Sequence, residues 1–312
     1  MFDRQDNSYS RNGVYSIKVF VNGKIISHYK FDKLIINESK KLYQVIDYKN
    51  YAEKRLKIFK LFYKSGVKLN FMNTLVDQGI FKVELGKSYL IIIEIEDFSG
   101  NKSSIESFIE GIENKIKPIE LKGRLIKTNR EYSFSFKNKE LFFPSETFFN
   151  DVKIELFENK DQIEIGPNLF PIANPFEIKF GLNEKDSLRS AQTFIAKKIK
   201  KSLMYLPTKL KGNKLIVKVN ELGTYTLARD SVSPTVVPDN FKKDQWLSNY
   251  KFLSLKIDDD FSGIKKYRGT INGEWVLFEY EPKRKILTYD FSDKYSEKLK
   301  HNLEVEVVDN VG

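Results

Sequence analysis

The side chains able to do chemistry in this sequence are few and far apart. The two histidines, His28 and His301, are the only ones. A catalytic zinc in a hydrolase needs two or three His, Asp or Glu ligands converging on one point. His28 sits in an alternating run between Ser27 and Tyr29, and His301 in a polar turn between Lys300 and Asn302. The two are expected in different domains, each at a surface or rim. No His-x-His or His-Glu-x-x-His spacing occurs, and one copy of the chain cannot supply a three-histidine site. The absence of cysteine excludes disulfides, iron–sulfur clusters, Cys-ligated zinc and thiol nucleophiles. Neither glycine-rich phosphate loop nor G-x-S-x-G elbow is present. The 42 acidic residues give many accidental carboxylate pairs, so no glycosidase-type pair stands out.

The best metal candidate is Asp258-Asp259-Asp260, followed by Phe261-Ser262-Gly263. Three successive carboxylates before a turn offer hard oxygen ligands to Ca²⁺. The competing reading is a solvated strand-end turn with an Asx cap, because the ligand alternation and terminal Glu of an EF-hand loop are missing. No catalytic, cofactor-binding or metal-ligating residue is therefore assigned. The 25 Phe and 16 Tyr are read mainly as core residues, with an exposed sugar-stacking face as the alternative. Trp246 and Trp275 fall in the last third. Phe142-Phe143-Pro144 and Phe148-Phe149 are expected to pack a domain interface.

These residues need elements to position them, and the dominant hydrophobic period is two. In Val14–Val21, Tyr15, Ile17, Val19 and Val21 share a face, and Asn22-Gly23 separates this run from Lys24–Phe31. Asn-Gly between alternating runs is a hairpin signal, since both central residues of a type I′ turn need positive φ. Asn272-Gly273 before Trp275 carries the same signal. Further strands are expected at Tyr89–Glu96, Tyr132–Phe136, Val152–Leu156, Leu215–Val219, Phe252–Ile257, Trp275–Tyr280 and Leu303–Val307. Helix signals are weaker. Asp47–Lys57 is expected to hold a short helix, and Ser187–Lys201 reads as a helix or as a strand pair with a polar loop.

Many short strands punctuated by Gly, Asn and Pro indicate an all-β chain of tandem immunoglobulin-like β-sandwich modules with few short helices. At 312 residues the chain has room for two or three domains. The expected units are 1–115, 116–229 and 230–312, with Asp230–Pro238 as a linker interrupted by Ser and Pro. A weak repeat, strand then Asp-x-x-Gly, recurs at Asp97–Gly100, Asp260–Gly263 and Asp309–Gly312. Asp accepts the turn's amides, and Gly supplies positive φ. The formal net charge is 53 − 42 = +11. The lysines are scattered and clusters such as Lys197–Lys201 are short, so no nucleic-acid partner is assigned. No apolar run reaches the roughly 18–20 residues of a membrane span. The polar N-terminus shows no signal peptide.

The order of these motifs resembles a known family. Asn12-Gly13-Val14-Tyr15-Ser16-Ile17, Val21-Asn22-Gly23-Lys24, Ile46-Asp47-Tyr48, Leu75-Val76-Asp77-Gln78-Gly79-Ile80 and Asp97-Phe98-Ser99-Gly100-Asn101 look like a non-catalytic β-sandwich region. That region follows the peptidase domain in Bacteroidota-type zinc metallopeptidases of the lysostaphin/LytM class (peptidase family M-twenty-three). Trp246-Leu247-Ser248, Asp258–Ile264, Tyr267-Arg268-Gly269, Ile271–Val276 and Val308–Gly312 are similar to the C-terminal module of the same proteins. The resemblance implies an accessory region that positions a peptidoglycan-directed enzyme on the cell envelope, in the periplasm or outside the cell. Its partner would be peptidoglycan, another envelope component or the catalytic domain. The family's zinc motifs have no counterpart here, so the zinc is expected only in a catalytic domain preceding Met1. The first unit is expected to be truncated at its N-terminus and the last at its C-terminus. A stand-alone cell-surface or glycan-binding module is the alternative.

Overall fold

The structure is a computed structural model that describes residues 3–4, 11–33, 36–63, 69–113, 122–293 and 300–311. It is all-β as expected. Antiparallel sheets dominate, with two short α-helices among the described residues. None of these helices is long and apolar enough to cross a membrane. Among the described residues the hydrophobic side chains form three separate cores, each drawn from one stretch of chain.

The first stretch pairs β1 (Asp3–Arg4) with β2 (Arg11–Asn12). It then builds a sheet from β3 (Ser16–Val21), β4 (Lys24–Lys30), β5 (Met72–Leu75), β6 (Ser88–Glu96) and β7 (Lys102–Glu110), in the order β5-β4-β3-β6-β7. The β3–β4 turn is the expected hairpin, with φ of 47° at Asn22 and 79° at Gly23. Ile17, Tyr29, Ile93 and Ile95 turn one face toward Val45, Tyr63, Leu69 and Phe71. The layer over this face includes a 3-10 segment and α1 (Tyr48–Lys54). Asp47 caps α1 by accepting the Asn50 amide at 3.1 Å, and Arg55 ends it in the left-handed region. Such a side-chain cap satisfies an amide that the first helical turn leaves unpaired.

The second stretch is a two-sheet sandwich. Its strands are β8 (Arg124–Ile126), β9 (Tyr132–Ser135), β10 (Lys139–Phe143), β11 (Val152–Glu158), β12 (Gln162–Gly166) and β13 (Phe176–Gly181). After α2 (Glu184–Ser187) come β14 (Thr193–Ile199), β15 (Ser202–Tyr205), β16 (Lys209–Lys211), β17 (Lys214–Val219) and β18 (Gly223–Arg229). One sheet runs β16-β17-β13-β10-β9 and the other β15-β14-β18-β12-β11-β8. Strict alternation explains the layering: Phe176, Ile178 and Phe180 are buried while Glu177 and Lys179 point outward. Each fully buried side chain of this size contributes roughly 1.5–3 kcal/mol. In the Ser187–Lys201 segment, Thr193–Ile199 is strand β14, with Phe194, Ile195 and Ala196 buried in succession, and Ser190–Gln192 before it is a short 3-10 turn. Phe143 and Phe148 lie fully inside this core, in ring contact with centroids 5.6 Å apart. Those two aromatics therefore build the sandwich interior rather than the expected domain interface.

The third stretch packs β19-β20-β24-β23 against β22-β21-β25. The ranges are β19 (Thr235–Pro238), β20 (Phe252–Asp258), β21 (Ile264–Ile271), β22 (Glu274–Val276), β23 (Glu279–Glu281), β24 (Ile286–Asp290) and β25 (Leu303–Asp309). Two expectations are corrected here. Part of the expected linker is strand β19, in register with β20 from Thr235 opposite Asp258 to Pro238 opposite Leu255. Proline is tolerated because β19 is an edge strand and Pro238 stands at its end. The single run Trp275–Tyr280 divides into β22 and β23, which belong to opposite sheets.

Candidate functional site

The chemistry-bearing residues separate in space. His28 lies on β4, with Nε2 3.1 Å from the Ser16 hydroxyl. Burial, helped by Lys18 and Lys30, holds its pKa below the usual histidine value. His301 is exposed beside the third core, its Nδ1 3.1 Å from the Asn272 amide nitrogen. The two histidines thus belong to different units and share no site. Trp246 and Trp275 are both exposed rather than in the core.

The three consecutive aspartates also part company. Asp258 pairs with Lys285 across the β20–β24 end. Asp259 turns inward, and its Oδ2 accepts the amides of Phe261 at 3.1 Å and Gly263 at 2.6 Å. The turn's acceptor is therefore Asp259, not the expected Asp260. Gly263, at φ 80°, supplies the left-handed step. The first copy of the turn behaves as read: Asp97 accepts the Asn101 amide at 2.9 Å, with Gly100 at φ 87°. In the last copy, Asp309 accepts the Val311 amide at 2.8 Å. Its Gly312 lies outside the described residues.

Asp230 completes the arrangement. It follows β18 of the second unit, is only 3% exposed, and reaches across to the third. Its Oδ2 accepts the Ser262 amide at 3.0 Å, and its Oδ1 the Val232 amide at 3.2 Å. One carboxylate oxygen from each of Asp230, Asp259 and Asp260 lies within 4.8 Å of the others, a spacing suited to a hard cation. The chain's own amides already occupy several of these oxygens. Beside the carboxylates, Phe261 packs edge-on against Phe194 of β14, centroids 5.0 Å apart. Asn310 donates to the carbonyls of Ser262 and Gly263 at 2.8 and 2.9 Å, tying β25 into the same turn. The cluster is a joint between the second and third units: a buried acceptor, an aromatic contact and a turn.

Asp230 heads the stretch expected as a linker. The signal available was an acidic residue directly after a strand, upstream of a second acidic turn.

The second unit also touches the helical layer of the first. Lys40 Nζ reaches the Ala173 carbonyl at 3.4 Å. Tyr48 is buried, which raises its phenol to about 12, and the nearby Glu221 charge adds to the shift. Glu221 itself pairs with Lys197, and its backbone carbonyl accepts the buried Tyr225 hydroxyl.

Compared with known proteins, residues 123–230 match a family model described as a Zu5-like domain. That span runs from the residue before β8 to Asp230, and it contains all of the second core. No curated protein matches the chain, and no solved structure does.

Proposed function

We infer that this chain is a non-catalytic positioning region, a set of β units held in a defined relation so that what they carry is presented at a fixed place. The observation that carries this reading is the joint at Asp230. A carboxylate buried between two units, accepting an amide of the next unit, sets their orientation rather than merely tethering them. A flexible linker would leave that acceptor in water. The more specific reading, an accessory region of an envelope-associated cell-wall zinc metallopeptidase, is supported by the ordered resemblance of the strand and turn motifs. On this reading the attached catalytic domain supplies the zinc chemistry, and the present chain supplies the address.

The test is co-sedimentation of the whole chain with insoluble peptidoglycan sacculi, with crystalline cellulose as the control polymer. The reading expects the chain in the sacculus pellet, little in the cellulose pellet, and no release of cross-linked peptide on prolonged incubation with added Zn²⁺. Equal partition to both polymers, or release of peptide by this chain, overturns it.

A further inference from the structure

The outer face of the five-stranded sheet in the second unit is charged, indented and unclaimed by the joint. Register lines its outward residues in rows across the strands. Ser135, Glu140, Lys179, Ile216 and Lys209 form one row. Ser133, Phe142, Glu177 and Lys218 form the next. Lys214 and Lys211 pair opposite each other at the sheet's rim. Two depressions lie on this face, of about 330 Å³ beside Ser133 and Phe142 and about 620 Å³ beside Lys209 and Ile216. They share Glu177 and Lys179, so together they make one trough across the strands. Five strands at about 4.8 Å spacing make this trough on the order of 19 Å long.

The charges in the trough are unequal. Glu140 and Glu177 both pair with Lys179, at 3.5 and 3.2 Å, and Glu140 also pairs with Lys214. Lys209, Lys211 and Lys218 are exposed and have no carboxylate within 4.0 Å among the described residues. The face therefore holds an internal network that orients two lysines, and three further cations outside that network: Lys209 and Lys211 line the trough, and Lys218 stands beside it, opposite Glu177 on the neighbouring strand. The ring of Phe142 and the side chain of Ile216 are half-buried between these groups.

We propose that this trough binds an acidic polysaccharide, its carboxylates on Lys209, Lys211 and Lys218 and its ring hydroxyls among Ser133, Ser135, Glu140 and Lys179. The lysine excess selects a polyanion. A polypeptide is the poorer fit. Extended peptides add to a sheet through its edge, where main-chain groups are free. On this face the backbone is committed to the ladders, and only side chains are on offer. Sugar hydroxyls both donate and accept, which suits a surface alternating Lys, Ser and Glu. The inference does not depend on an attached peptidase.

Isothermal titration of the whole chain with polygalacturonate, with dextran and poly-glutamate in parallel, tests it. Polygalacturonate is expected to bind with an affinity that falls as NaCl rises, and dextran and poly-glutamate much more weakly. The triple variant Lys209→Ala, Lys211→Ala, Lys218→Ala is expected to lose about tenfold in affinity, as exposed charge pairs of ordinary strength imply. A control variant with the same charge change on exposed residues of the third unit (Lys242→Ala, Lys243→Ala, Lys283→Ala) is expected to bind as the parent does. Absence of polygalacturonate binding, an equal loss in the control variant, or equal binding of poly-glutamate overturns the proposal. All substituted positions are exposed, and retained thermal unfolding of both variants separates lost binding from lost fold.

Discussion

Lys139 shows how much one buried polar group organises. Its side chain is fully buried at the start of β10, yet the ammonium has four acceptors. These are Asn138 Oδ1 at 2.9 Å, Glu158 Oε1 at 2.7 Å, and the carbonyls of Asn159 and Lys160 at 2.7 and 3.1 Å. Glu158 ends β11 and the two carbonyls belong to the β11–β12 turn, all in the opposite sheet. Lys139 thus ties one sheet to a hairpin of the other, and its Nζ also lies 5.5 Å from the Phe180 ring centroid. Replacing it with Met of similar length removes the cation and leaves a partly exposed carboxylate and two carbonyls of an exposed turn without their shared donor. Lys139→Met is expected to destabilise the second unit by about 1–3 kcal/mol. Urea unfolding followed by near-ultraviolet circular dichroism measures this, and a loss below about 1 kcal/mol contradicts the assignment. Asp230 acts by the same logic between units rather than within one.

At the scale of elements, a glycine decides how β21 packs. Gly269 pairs with Val276 on one side and Val305 on the other. A Cβ built there would lie 2.3 Å from Cε2 and 2.4 Å from Cδ2 of Phe278. The ring of Phe278, itself buried, occupies the space a side chain would take. Gly269→Val is expected to push that ring out of the third core and lower that unit's stability by about 1–3 kcal/mol. The second unit's unfolding is expected to stay unchanged. Hydrogen exchange read separately for β13 and β20 distinguishes this local effect from a global one. Gly269 belonged to a recognisable sequence motif, but its reason was not legible, because the ring that fills its space arrives from β22–β23. The strands themselves were legible wherever one face is buried, since period-two alternation is the direct imprint of a sheet on a core. Ser187–Lys201 was ambiguous for the same reason in reverse. Burial on both faces at Phe194, Ile195 and Ala196 erases the alternation. The candidate joint was half legible. The Asp258–Asp260 run is visible in the sequence, whereas Asp230 joins it only through a fold that carries residues 29 positions apart to one turn.

At the scale of the whole molecule, the question is whether the second and third units are held or merely strung together. Asp230, the Ser262 amide and the Phe194–Phe261 contact say that they are held. The chain has no cysteine, so two introduced thiols take spin labels without background. Glu164 on β12 and Glu279 on β23 are exposed strand positions, one in each unit. Pulsed dipolar spectroscopy of the doubly labelled chain (Glu164→Cys, Glu279→Cys) then reads the distance between units directly. One narrow distance distribution is expected, broadening when Asp230→Ala removes the acceptor for Ser262. A broad distribution in the parent chain, or one that Asp230→Ala leaves unchanged, would contradict the claim that this chain fixes the placement of what it carries.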